Sequence, residues 1–302
     1  MRVKHLSRLT LTWLSNHAEE FRVASYGTYS VLSHVKPLTE LMLLLVVLAK
    51  HQIRDGQVSV LAERAVAHGR QFDWHELFSH DASGATVLGT IAEFFASNQL
   101  PPPFEVEFCR FLHSSGFLEG MDRVAYREMD LAHCLMWLVS PDFVGELPGW
   151  FASTAFGRRQ HLTRYTIDDL YSLTHAAFYL TSFGTRNLGE VLDDSTAERL
   201  RIELAALTAI VLRSDNIDVL GELLLCWLFC DVEDTPLNRL LFRQAFARVM
   251  SATMPSGQVV PGLRLLPRAE AGETTFDDVY HTTLVAGMLF ALAAKDAARY
   301  VS

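Results

Sequence analysis

The sequence predicts an all-α protein: a ring of helix hairpins (an α/α toroid) or a related helical superhelix. Three observations predict it. Apolar residues recur at i, i+3, i+4 and i+7 through about eleven segments, the mark of helices with one buried face. No segment alternates apolar and polar residues convincingly enough to read as a strand. Two of the helical segments, 41–49 and 223–229, are apolar nearly all round, which calls for an inner layer shielded by an outer one.

The elements follow in order. Helical periodicity covers 3–22, 38–54, 57–69, 85–98, 103–116 and 124–139, then 167–183, 195–213, 216–230, 236–253 and 276–298. Turn chemistry separates them: Lys36-Pro37, Asp55-Gly56, Pro101-Pro102-Pro103, Gly116, Gly184 and Thr235-Pro236. Residues 257–266 read as a short hairpin or an extended loop. The longest non-periodic stretch is 141–165, with Pro141, Gly145, Pro148, Gly149 and Gly157. The organisation expected is one helical domain over 1–302, with halves 1–140 and 166–302 joined by that stretch. No fixed-length helical repeat of the tetratricopeptide kind is visible.

Composition narrows the function classes. Half of the 302 residues are hydrophobic, enough for a large core, and the net charge is −9. An acidic chain is a poor binder of nucleic-acid backbones, so no nucleic-acid partner is expected. The N-terminal segment lacks the continuous apolar stretch and small-residue cleavage site of a signal peptide. The longest apolar run spans about nine residues, against roughly 20 needed to cross a bilayer. No membrane partner is expected, and a reducing cytoplasm suits the four cysteines, none in a CxxC pair. Cys226 and Cys230, at i,i+4 in an apolar run, read as buried free thiols.

One internal similarity supplies candidate site residues. Thr166-Ile167-Asp168-Asp169-Leu170-Tyr171 recurs as Thr275-Phe276-Asp277-Asp278-Val279-Tyr280. Each threonine is suited to cap a helix whose N3 aspartate answers it, with Asp168 and Asp277 at N2 where the helix dipole favours negative charge. A purely structural role therefore accounts for the acids. The functional reading begins one turn deeper. Tyr171 and His175 share a helix face, and Tyr179 continues it. Asp277 and His281 are also i,i+4, so the carboxylate can orient the imidazole, with Thr283 following. If both helices line one cavity, His175, His281, Tyr171, Tyr280 and Asp277 are the catalytic candidates. His133, Asp168, Tyr179 and Thr283 are then the substrate-binding candidates. His133 has a competing role as a buried histidine bonded to Asp130. Three imidazoles and a carboxylate could also bind zinc or iron, but no HExxH or other tight ligand spacing is present. No metal ligand is assigned, and the cofactor is left open.

Other motifs carry less. There is no Walker A loop, no GxGxxG after a strand and no GxSxG elbow. Asp193-Asp194-Ser195-Thr196-Ala197-Glu198 superficially matches an aspartate-rich diphosphate motif, but Ser195 or Thr196 capping a helix explains it more simply. Arg158, Arg159 and Arg164 read as a solvated loop, and His75, Glu76 and His80 as a polar rim.

The segment Leu173-Thr174-His175-Ala176-Ala177-Phe178-Tyr179, running on to Phe183-Gly184, resembles the signature of an uncharacterised bacterial domain family. So does Tyr280-His281-Thr282-Thr283-Leu284 near the C-terminus. The resemblance implies a setting near natural-product pathways, and the fold invites comparison with the α/α-toroid cyclases. The lanthionine-synthetase cyclases among these carry a Cys-His-Gly zinc signature that is missing here. The function expected is a small-molecule or peptide-tailoring enzyme with a central helical cavity and histidine acid/base chemistry. The alternatives are a non-catalytic scaffold that binds a peptide or partner, and a metal-dependent enzyme.

Overall fold

A computed structural model of the chain describes residues 2–23, 31–74, 84–118, 120–121, 123–159 and 161–295. Its first six helices are α1 (Arg2–Asn16), α2 (Val31–Lys50), α3 (Gly56–Gln71), α4 (Ala85–Ser97), α5 (Val106–Ser114) and α6 (Ala125–Leu138). They are followed by α7 (Leu147–Ser153), α8 (Ile167–Leu180), α9 (Asp194–Val211) and α10 (Ile217–Phe229). The last three are α11 (Pro236–Ser251), α12 (Leu266–Glu270) and α13 (Phe276–Lys295). Among the described residues there is no strand, and one isolated bridge joins Thr253 to Val259 in the segment read as extended. His75, Glu76 and His80 lie outside the described residues, as do 296–298 at the end of the last predicted helix.

The packing closes a ring. α2 packs on α4, α4 on α6, α6 on α8, α8 on α10, α10 on α13, and α13 back on α2. Six of the remaining helices lie outside it: α1 on α13, α3 on α2, α5 and α7 on α6, and α9 and α11 on α10. Apart from the short α12, inner and outer helices alternate along the chain, the toroid that the all-round apolar segments predicted. In α10 every residue but Leu228 is buried. Between Val279 and Ala293 in α13 every residue but His281 is buried.

Local chemistry explains the joints. α2, α4 and α10 each end in a left-handed residue, Gln52 (φ 56°), Gln99 (φ 58°) and Asp231 (φ 51°). The amide after each reaches back along its helix: Ile53 to Leu48 O, Leu100 to Phe95 O and Val232 to Trp227 O. α4 and α6 cross at Gly89, where an added Cβ would lie 2.3 Å from Cys134 Cα, so the contact is backbone on backbone. All four cysteines are buried thiols.

Two boundaries differ from the sequence reading. α2 runs through Pro37 instead of starting after it. Proline removes one helical hydrogen bond, but burial of Leu38, Leu41, Met42 and Leu44 through Leu48 in the ring outweighs that loss. Residues 141–165 hold a 3-10 segment, Pro141–Glu146, and α7, both packed on α6, so the stretch is an outer part of the ring. The repeated helix starts behave as caps. Thr166 and Asp169 form a reciprocal capping box, and the Thr275 amide and hydroxyl both donate to Asp278 Oδ2 at 2.9 Å. For α9 the cap is Asp193, not Ser195 or Thr196, whose hydroxyls donate to it.

Candidate functional site

The inner helices α8, α10 and α13 are apolar, so each polar side chain they turn inward must find a partner. Near their N-terminal ends these side chains meet. His281 of α13 lies at the centre. Its Nδ1 is 3.0 Å from Glu40 Oε2 of α2, and its Nε2 is 3.5 Å from Asp218 Oδ2 and 3.4 Å from Glu222 Oε1, both on α10. Asp218 and Glu222 are one turn apart, so α10 presents both carboxylates on one face. The Tyr171 hydroxyl donates to Asp218 Oδ2 at 2.7 Å, and the Thr282 hydroxyl donates to Asp218 Oδ1 at 2.7 Å. The Thr174 hydroxyl donates to Glu222 Oε2 at 2.5 Å.

The electrostatics follow from three carboxylates around one imidazole. Burial alone would lower the His281 pKa, but Glu40 and Asp218, then Glu222, push it well above 6.5. Burial likewise opposes ionisation of Glu40 and Glu222, yet His281 beside them, with His175 beside Glu222, holds both below the usual carboxylate range. Burial and then Asp218 push the Tyr171 phenol up; burial and then Glu40 do the same to Tyr280. Lys36 Nζ also stands 3.6 Å from Glu40 Oε1, so with one imidazolium and one ammonium against three carboxylates the cluster carries about one uncompensated negative charge by simple counting.

A cavity of about 470 Å³ opens onto this cluster. Tyr171, Asp218, His281 and Thr282 line it, and Asp215, Asp278 and Arg264 stand in its wall. His175 is not part of the cavity lining. Its Nδ1 donates to the Tyr171 carbonyl at 2.7 Å, which leaves Nε2 as the ring nitrogen not engaged by that bond.

Several predicted site residues lie elsewhere. Asp277 and Asp168 are exposed, and the carboxylate on His281 Nδ1 belongs to Glu40 rather than Asp277. Tyr280 is buried against Phe276 and Phe21 behind Glu40. The Thr283 hydroxyl accepts from the Val259 amide and donates to Val279 O, so it fastens the extended segment to the outside of α13. His133 and Tyr179 belong to a second polar cluster. His133 Nε2 is 3.3 Å from Glu93 Oε2, and Glu93 Oε1 pairs with Lys50 Nζ. Lys50 also donates to Ser182 Oγ at 3.0 Å. Tyr179 stacks on His133 and donates to Asp130 Oδ1 at 2.9 Å. Asp130 therefore serves Tyr179, and Glu93 serves His133.

The residues that sequence reading missed are Glu40, Asp218 and Glu222. The signal was clearest for Asp218 and Glu222, the two acids one turn apart in an otherwise apolar helix, where an ionised side chain is costly unless paired. Glu93 carries the same signal in α4.

The family model described as Domain of unknown function (DUF6895) matches residues 7–291. The chain belongs to this family. Both segments that carried the resemblance lie within the DUF6895 match, one on α8 and the other on α13, and each gives a residue to the His281 cluster. No curated protein and no solved structure matches the chain. No described helix is long and apolar enough to cross a membrane.

Proposed function

We propose that this DUF6895 protein is an enzyme that moves protons on a small polar molecule held in the cavity over His281. One observation carries the reading. Glu40, Asp218 and Glu222, from two different inner helices, converge on a single imidazole at the floor of an open cavity. Gathering three carboxylates around one imidazole, two of them buried and the third paired also with Lys36, does not serve stability, because a well-packed apolar replacement is usually as good or better. Such an arrangement suits chemistry, where neighbouring groups of opposed proton affinity act as acid and base.

The roles follow from position. His281 is the proton donor facing the cavity, and Asp218 is the cavity-facing acceptor, held in place by Tyr171 and Thr282. Glu40 fixes the ring orientation of His281. His175 acts on Glu222 from behind and is a positioning residue. The acidic surroundings favour a neutral or positively charged substrate over an anion. Isomerisation, elimination, cyclisation and hydrolysis all need this proton traffic, and the natural-product setting implied by the family resemblance supports a tailoring step in specialised metabolism.

The test works without an identified substrate. Small-molecule profiles of a producing strain are compared after replacement of the chain by Asp218→Asn and by His281→Asn, with folding of each variant checked by circular dichroism. Both variants are expected to accumulate the same precursor and lose the same product. A profile identical to wild type with both variants folded would refute an enzymatic role for the cavity.

A further inference from the structure

We propose that Asp218, Glu222 and His281 together bind one divalent transition-metal ion. The inference rests on the reading of this cavity as the reactive centre and names the group held there. The ion displaces the Nε2 proton of His281 to solvent, and water on the ion would then take over the proton-transfer roles given above to His281 and Asp218. One ligand atom from each of the three residues lies within 4.8 Å of the other two. The separations are informative. His281 Nε2 stands 3.5 Å from Asp218 Oδ2 and 3.4 Å from Glu222 Oε1, beyond the roughly 2.7–3.2 Å of a good N–H···O bond. Two ligands on a tetrahedral ion with bonds of about 2.1 Å lie about 3.4 Å apart, so these are the edges of a zinc-like coordination shell.

The surroundings are those of ligands already oriented. His281 Nδ1 is taken up by Glu40 at 3.0 Å, the carboxylate–histidine arrangement that turns Nε2 toward a metal. Thr282 holds the far oxygen of Asp218, and Thr174 the far oxygen of Glu222. Asp218 Oδ2 and Glu222 Oε1 are thereby directed at His281, Oδ2 with one lone pair taken by the Tyr171 hydroxyl and the second left for the ion. With Lys36 already 3.6 Å from Glu40, a proton on His281 leaves about one carboxylate charge unmatched, whereas a divalent ion in its place leaves none. The cavity touches Asp218 and His281, which gives the ion an entry path. Three protein ligands with an open fourth position facing a cavity is the pattern of catalytic rather than structural zinc.

The test is titration of the chelator-treated full-length chain with Zn²⁺ alone by calorimetry, and with Co²⁺ alone by visible absorption. One ion per chain is expected, with a tetrahedral cobalt spectrum. Asp218→Asn and His281→Asn should each weaken binding at least ~100-fold, and Glu40→Gln about 10- to 100-fold. Asp218→Asn keeps the shape of the side chain, so it remains informative if His281→Asn folds poorly. No stoichiometric binding, or binding unchanged in Asp218→Asn, overturns the inference. If no ion binds but the metabolite profiles still change, the metal assignment falls and the acid/base reading stands.

Discussion

Replacing Lys50 by Met removes the cation beside Glu93, a carboxylate that is 2% exposed, while keeping the apolar stem of the lysine. The loss leaves Glu93 paired with His133 alone, at 3.3 Å. Breaking a buried ion pair from one side costs about 3–5 kcal/mol; with Lys50 at 18% exposure, the lower end of about 3 kcal/mol applies. Unfolding entropy of roughly 2.1 cal/mol/K per residue over 302 residues is about 0.63 kcal/mol/K, so the melting temperature should fall by about 5 °C. The double variant Lys50→Met/Glu93→Gln removes both charges and should recover most of that loss, because Ser182, the other partner of Lys50, is half-exposed and can turn to water. Scanning calorimetry at pH 7 checks both. A single variant within 1 °C of wild type, or a double variant as unstable as the single, would refute the claim that this pair is a mutually dependent buried unit.

Other predictions follow from the same geometry. Gly89→Ala should destabilise by about 3 kcal/mol or more, because the new methyl meets the Cys134 backbone rather than a movable side chain; urea unfolding measures it. Gln99→Gly should stabilise by about 0.5–1 kcal/mol in the same assay, since Gln99 is exposed and held at φ 58°. Stability should decline at both ends of the pH scale. Burial opposes ionisation of Glu93, but His133 and Lys50 lower its pKa below 4.5, so its contribution is present above that value and lost as pH falls through the folded-state pKa. The raised His281 pKa has the opposite sign: its contribution is full below about pH 6.5 and is lost as pH rises through the folded-state value. Melting curves from pH 2 to 10 should show both limbs, with Glu93→Gln flattening the acid one.

The ring was legible because its cause is local. Apolar residues all round 41–49 and 223–229 require a helix with neighbours on every side, and the packing provides them. The caps at Thr166 and Thr275 were legible for the same reason, being bonds within four residues. Half of the site was visible as well: Tyr171 and His175 share a face, and His281 is the half-buried exception in a buried helix. What could not be read was which carboxylate serves which imidazole. Asp277 stood at the right helical spacing from His281, yet Glu40, 241 residues away, takes the position. Asp130 stood close to His133, yet Glu93 of the neighbouring helix faces it. Spacing reports partners along one helix, whereas the ring sets partners across helices. Pro37 misled in the same way, because a local breaking signal was outweighed by burial in the ring.

The His281 cluster, on this account, holds more negative charge than the fold needs. The sign of two melting shifts in chelator at pH 7 tests it most directly. Glu222→Gln can keep its contacts: the amide oxygen faces His281, and the amide nitrogen donates to Thr174, whose hydroxyl turns to the Tyr171 carbonyl 3.0 Å away. Removing one of three carboxylates should therefore leave the melting temperature equal to or above wild type. His281→Asn strips the counter-charge from the buried Asp218 and Glu222, leaving Glu40 with Lys36 alone, and should lower it by about 5 °C, from a cost of about 3 kcal/mol. A fall of several degrees in Glu222→Gln as well would show a balanced structural ion network, and would contradict the account.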